Sequence, residues 1–296
     1  MKRFLTIIAC AIALLSSCTK SSDGIKMVII GFDGLGAQYL DSLDMPNLRS
    51  AMERGSWTLH KRSVLPSASA INWASTFNGQ PTEMHGYTRW NSMSPDMPVP
   101  FLNEHGMPET LFNIYRKANP DAVISCTYDW TGIKFVIDST AFNKLIYARP
   151  AGGVDPDYNA ACAVDMIKTL SPDLCFCYFD APDDYGHAYG WGSPEYKARA
   201  HQVDAYIAKI EQAVKDAGYY DKAVFVFTSD HGGINKGHGG INIKELEAPF
   251  VVWGKGIRKG EIKEFMMQYD APATMAKILG LEIPSFWRGR PVDVQQ

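Results

Sequence analysis

Two histidines and an aspartate crowd one short stretch of the chain. Asp230 and His231 lie in Thr228-Ser229-Asp230-His231-Gly232-Gly233, and His238 follows in Lys236-Gly237-His238-Gly239-Gly240. A carboxylate with imidazoles is a donor set suited to zinc, and the glycines let backbone approach an ion closely. Asp33 stands in Gly31-Phe32-Asp33-Gly34, and Asp183 and His187 stand in Pro182-Asp183-Asp184-Tyr185-Gly186-His187. An Asp and a His four residues apart on one loop can chelate a single ion. Ser69, in Pro66-Ser67-Ala68-Ser69-Ala70-Ile71-Asn72, stands where a helix begins. A helix N-terminus favours a developing anion, and a neighbouring metal would make the hydroxyl a nucleophile. Each motif also has a plain reading on its own: an Asp-Gly turn, a solvated acidic loop, surface histidines, an N-capping serine.

The elements that must position these residues are legible as apolar runs. Lys26–Phe32, Ala122–Thr127, Leu174–Phe179, Lys222–Thr228 and Pro249–Trp253 read as buried strands, and residues 57–64 as an edge strand. Helices are expected over Pro46–Arg54, with Pro in the first turn and Gly55 past the end, and over 70–77, 109–117, 158–170 and 271–279. A long helix over about 193–217 carries Val203, Ile207, Ile210 and Val214 on one stripe and stops at Gly218. Residues 92–107 read as loop, and 130–155 carry no clear period. Strands alternating with helices predict an α/β fold: a mainly parallel central sheet with helices on both faces. Asp33, Asp183 and Asp230 then all follow strands, and in a parallel sheet those ends converge on one edge. Three carboxylates, three histidines and a hydroxyl suffice for two metal ions about 3.5–4 Å apart, the spacing used for in-line displacement at phosphorus.

Composition narrows the setting. The 296 residues are 46% hydrophobic, ample for one packed domain. A net charge of −3 with no basic block argues against a nucleic-acid-binding surface. Met1-Lys2-Arg3 followed by an apolar run to Leu15 reads as a signal peptide over 1–17, too short for a confident transmembrane helix. Its end, Leu15-Ser16-Ser17-Cys18, resembles a bacterial lipobox, with Cys18 as the lipidated first residue; an ordinary signal peptide is the alternative. Residues 18–25 are then a tether to a membrane of the bacterial cell envelope, and 26–296 a single domain. Cys126, Cys162, Cys175 and Cys177 have no zinc-thiolate spacing and are expected as buried free thiols, although export permits a disulfide.

Together these motifs resemble the alkaline phosphatase superfamily, nearest to its nucleotide pyrophosphatase/phosphodiesterase branch, from about residue 27 to the end. The segment 66–79 followed by Met84-His85-Gly86 is similar to the nucleophile segment of that branch and selects Ser69 over Ser67. Asp129-Trp130-Thr131-Gly132 is similar to its Trp-Pro-Gly segment. The stretch from Asp270 through Gly280 to Pro291 resembles the closing helix and tail of the superfamily.

The resemblance implies an alkaline-phosphatase-like fold and two zinc ions. Asp33, Asp230 and His231 would hold one beside Ser69, and Asp183, His187 and His238 the other. It also implies a phospho-enzyme on Ser69 and a phosphate contact from Asn91. The expected activity is hydrolysis of small phosphate esters, diesters or nucleotide pyrophosphates first. A phosphomonoesterase, with Arg89 or Lys134 meeting the extra charge, and an inactive lipid-anchored binding protein are the alternatives. Three departures stand out: a serine nucleophile, Ile71 and Trp73 where the branch has Pro and His, and His238 only seven residues after His231. The last implies that a substrate-shaping insertion is missing and the site is more open. Oligomeric state is not legible.

Overall fold

The computed structural model describes residues 24–296 apart from 152 and 154. The signal segment and Cys18 therefore lie outside the described residues. Among those described, no helix is long and apolar enough to cross a membrane.

Eight strands form one sheet: β1 (Lys26–Asp33), β2 (Ser56–Arg62), β3 (Ile124–Tyr128), β4 (Lys144–Tyr147), β5 (Leu174–Pro182), β6 (Ala223–Ser229), β7 (Glu247–Gly254) and β8 (Gly260–Glu261). Their order is β4-β3-β5-β1-β6-β7-β2-β8. The run from β4 to β6 is parallel, and β7 turns antiparallel against both β6 and β2. The expected mainly parallel sheet is therefore present, with its antiparallel part at one side. The expected edge strand β2 is itself covered by the two-residue β8. The featureless 130–155 stretch hides β4, which forms the opposite edge.

β1 is central, and its alternation assigns the two faces. Met27 and Ile29 enter one core with Trp73, Phe77 and Phe112; Val28, Ile30 and Phe32 enter the other with Val203, Ile207 and Ile210. Side chains alternate across a strand, so a strand apolar at every position must be covered on both sides. Helices Ser69–Asn78, Leu111–Ala118 and Asp270–Ile278 cover the first face. Helices Pro46–Arg54, Pro156–Leu170 and Pro194–Asp216 cover the second. Cys126, Cys175 and Cys177 are buried free thiols, as expected, and Cys162 is free and partly exposed.

Register brings the chemistry together. Phe32 of β1 pairs with Ser229 of β6, so Asp33 and Asp230 emerge side by side. Against β5, Phe32 pairs with Phe179 but Asp33 pairs with Pro182, so β5 carries two extra residues in a bulge before Asp183. Bulges bend a strand and re-aim its side chains. The strand thus runs further than its apolar stretch suggests, and Asp183 and His187 lie on a short helix, Asp183–Tyr189, rather than on a loop.

Candidate active site

Asp33, Asp230 and His231 form one cluster of ligand-competent atoms, and Asp183, His231 and His238 form a second. His231 is common to both. Its Nε2 lies 3.4 Å from Asp33 Oδ1 and 3.2 Å from Asp230 Oδ2. His187 sits beside the second cluster, with Nε2 3.3 Å from Asp183 Oδ2 and 3.1 Å from His238 Nε2.

The carboxylates are held by one oxygen each. Asp33 Oδ2 accepts from Trp73 Nε1 at 2.9 Å and from the Tyr178 hydroxyl at 2.7 Å, which leaves Oδ1 for the site. Asp230 Oδ1 accepts from the Gly34 N–H at 3.1 Å, while its buried Oδ2 has no hydrogen-bond donor. Asp183 Oδ1 is likewise buried without one. Gly34 has φ +67°, and a Cβ there would sit 2.6 Å from Asp183 Oδ1, so the turn after β1 tolerates no side chain.

The imidazoles are oriented in the same manner. Nδ1 of His231, His238 and His187 lies 2.8, 3.0 and 3.1 Å from the carbonyls of Gly232, Ser67 and Lys236. A carbonyl can only accept, so each Nδ1 carries the proton and each Nε2 turns a lone pair inward. Two such lone pairs 3.1 Å apart, on His187 and His238, call for a cation between them. Orphaned buried carboxylate oxygens ask for the same. The residues present fit divalent metal ions.

Burial raises the Asp33 carboxyl well above the usual range, with Asp230 adding to it. Burial followed by the charge of Asp33 does the same to Asp183, and burial lifts Asp230 to about 7. Burial pushes His231 down to about 3, and burial with neighbouring His231 pushes His238 down as well. Neutral imidazoles are ready to ligate, whereas the carboxylic acids must lose protons to do so.

Ser69 is the first residue of the helix Ser69–Asn78, whose cap is Ala68; the serine is therefore not an N-cap. Its Oγ stands 3.3 Å from Asp33 Oδ1 and 3.2 Å from His231 Nε2. Asn72 fixes the approach to it: Oδ1 accepts from Val64 N–H at 2.7 Å, and Nδ2 donates to the carbonyls of Val64, Pro66 and Ala68. Ser69 opens on a cavity of about 580 Å³ lined also by Thr88, Trp90, Trp130, Asp180, Asp183, His187 and His238.

Asn91 does not line this cavity. The turn closed by Ser92 N–H to Arg89 O, at 3.2 Å, leaves Asn91 exposed at its corner and presents Trp90 to the cavity instead. Arg89 pairs with Asp96 in solvent, and Lys134 lies over the Phe135 ring; neither lines the cavity. Of the scattered tryptophans, Trp90 and Trp130 are wall residues, while Trp191 and Trp253 are buried.

Trp73, Tyr178 and Asn72 are supports that sequence reasoning missed. Trp73 entered only as a departure from the expected His, and Tyr178 as one more aromatic in an apolar run. Lys61 lies on the strand expected at the edge. It is fully buried behind Asp230, donating to Thr228 Oγ1, Ser229 O and Gln268 Oε1 at 2.8, 2.6 and 2.6 Å.

Known proteins resemble this chain in sequence and in fold. A family model described as type I phosphodiesterase/nucleotide pyrophosphatase matches residues 27–249. Venom phosphodiesterase of Naja atra is 22% identical over 231 residues, 75% of this chain and 28% of the relative. A human bis(5'-adenosyl)-triphosphatase is 23% identical over 70% of this chain and 47% of its own. GPI ethanolamine phosphate transferase 1 of Emericella nidulans is 28% identical over 61% of this chain and 22% of its own. The chain thus spans less than half the length of each of these curated relatives. Among solved structures, an inactive murine ectonucleotide pyrophosphatase/phosphodiesterase 5 in complex with AMP superposes with TM-score 0.70 at 18% identity, over 89% of this chain and 98% of that one. A 2-O GAG sulfatase superposes with TM-score 0.71 at 14% identity, over 90% and 73%. Such distant likeness shows the fold, an alkaline-phosphatase-like one. The matched span covers most of the chain, including every metal-competent residue named above, and the protein belongs to the type I phosphodiesterase/nucleotide pyrophosphatase family.

Proposed function

We propose that the protein hydrolyses small phosphodiesters or nucleotide pyrophosphates through a covalent intermediate on Ser69. The observation that carries this is Ser69 Oγ within 3.3 Å of both Asp33 and His231, at the floor of a cavity that admits a small ester. Two zinc ions would be held by Asp33, Asp230 and His231 and by Asp183, His187 and His238; when bound they supply Lewis-acid charge to the nucleophile and leaving oxygens.

Ser69 Oγ forms a bond to phosphorus while the bond to the leaving oxygen breaks, and that oxygen departs with the electron pair and takes a proton. Water then adds its hydroxyl to phosphorus, the Ser69–phosphorus bond breaks, and the remaining proton restores the serine. Phosphomonoester product and alcohol leave. The Ser69 N–H, one of the amides at a helix start without an intrahelical carbonyl, meets a non-bridging oxygen. His231, fixed by Gly232 O, and Asp33, fixed by Trp73 and Tyr178, keep the hydroxyl in place.

A diester is favoured over a monoester by the lining: among the described residues, no Lys or Arg side chain meets the cavity to receive a second phosphate charge. The relative in complex with AMP supports a nucleotide as one candidate substituent. The same proposal places the protein in the bacterial cell envelope, held to a membrane by lipid on Cys18.

Rates on bis(p-nitrophenyl) phosphate and p-nitrophenyl phosphate, with and without added zinc, test the reaction class. Zinc-dependent preference for the diester is expected. The Ser69→Ala variant should lose turnover while retaining two metal ions per chain. Turnover of that variant at the parent rate would remove Ser69 from the mechanism.

A further inference from the structure

The second metal cluster is braced from outside by the short segment that joins His231 to His238. Ile234 N–H donates to Gly237 O at 2.9 Å and Gly237 N–H to Ile234 O at 3.1 Å, so Asn235 and Lys236 form the two-residue loop of a hairpin. The return to a histidine only seven residues after His231 is made by this hairpin. Loops of this length close through left-handed backbone. Asn235 supplies it with φ +55°, in a region that glycine and asparagine enter most readily.

The hairpin makes three ties, all to the helix Asp183–Tyr189 or to the turn that follows it. Lys236 O accepts from His187 Nδ1 at 3.1 Å, Lys236 Nζ donates to Ala188 O at 2.8 Å, and Asn235 O accepts from the Trp191 N–H at 2.8 Å. The last tie seats the Trp191 indole, whose Nε1 donates to Gly34 O at 2.8 Å. Its ring stands edge-on to His187 and to His238, with centroids 5.1 and 5.9 Å away. It fills the space that a Cβ on Gly186 or Gly233 would need, 2.6 and 2.3 Å from ring carbons. Of the six ligand residues, His187 alone is exposed. Packing cannot hold an exposed imidazole, so its orientation depends on what its other nitrogen binds, and that is the hairpin carbonyl.

We propose that this hairpin is the positioning device of the second metal ion, and that Asn235 is its positioning residue through its backbone rather than its side chain. The left-handed turn sets Lys236 O against His187 and Asn235 O against Trp191, and the Nε2 lone pairs of His187 and His238 converge as a result. The inference rests on the two-metal reading of the site and names the part of this chain that assembles its second half.

Asn235→Val and Asn235→Gly test this, with His187→Ala as the reference and zinc bound per chain titrated against a chromophoric chelator of known affinity. Asn235 is exposed, so neither change at this position removes core packing. A β-branched residue resists a positive φ, and glycine does not. Asn235→Val should keep one ion at the parent affinity and bind the other about 10–100-fold more weakly, the usual effect of losing the outer partner of a ligating histidine. Asn235→Gly should hold both ions as the parent does, a rescue that a need for the side chain would not allow. Loss of both ions in Asn235→Val, or of neither, overturns the proposal, and so does loss of an ion in Asn235→Gly. His187→Ala separates the two levels. If it loses one ion while Asn235→Val binds as the parent does, the hairpin assignment alone falls. If it holds both ions at the parent affinity, His187 is not a ligand, and the two-metal reading falls together with this inference.

Discussion

Asp33 and Asp230 each give one oxygen to the protein and keep the other for the site, and that division is set by two donors on Asp33 and one on Asp230. Trp73 Nε1 and the Tyr178 hydroxyl both bind Asp33 Oδ2. Outer supports of this kind typically alter metal affinity about 10–100-fold when removed. Trp73→Phe keeps an aromatic ring and deletes the donor, so metal affinity should fall within that range, measured by competition with a chelator of known affinity. Unchanged affinity would show that Tyr178 alone orients Asp33. Protons should compete with the metal in a defined window. The Asp230 carboxyl is raised to about 7, so the metal-free protein binds a proton there below that value and releases it above. A metal ion must displace that proton, and its affinity should fall by about tenfold per pH unit and proton as pH drops below 7. His231 takes up no proton in this window, since burial holds it at about 3. Calorimetry in buffers of different ionisation enthalpy would count the released protons, and none released at pH 6 would refute this reading of Asp230.

At the scale of elements, the site is where three strand ends meet one helix start. Asp33, Asp230 and Asp183 were legible because each follows an apolar run that can only be a buried strand, and parallel strands share a carboxyl edge. The supports were not legible. An aromatic inside an apolar run, such as Tyr178, looks like core packing until a partner is seen, and the bulge that presents Asp180 leaves no sign in β5. Lys61 shows the same limit. On a strand expected at the edge, a lysine reads as solvated; here β8 covers the strand, and the ammonium is tied to the end of β6. Gln268 extends the tie, donating to Thr76 on the helix that begins with Ser69. Leaving buried acceptors without their donor typically costs about 1–3 kcal/mol. Lys61→Met should therefore destabilise the protein by about that much in urea unfolding, because its three acceptors lose their donor. A change below about 1 kcal/mol would mean that the acceptors find water instead.

For the molecule as a whole, β1 joins its two ends. Lys26 at the start follows the segment expected to be a tether, and Asp33 at the finish stands in the active site. Eight residues of extended chain span about 25 Å, so the start of β1 and the candidate site lie at opposite edges of the sheet. Protein lacking residues 1–25 should then hydrolyse soluble diesters with the kcat/KM of the lipidated form, measured on both preparations. A several-fold loss on truncation would show that the leading segment contributes to the site. An anchor at Cys18 would hold the protein as a post holds a lamp, its working end raised above the surface that carries it. Esters that diffuse in from the surrounding fluid, or that a facing surface offers, would meet the open cavity directly.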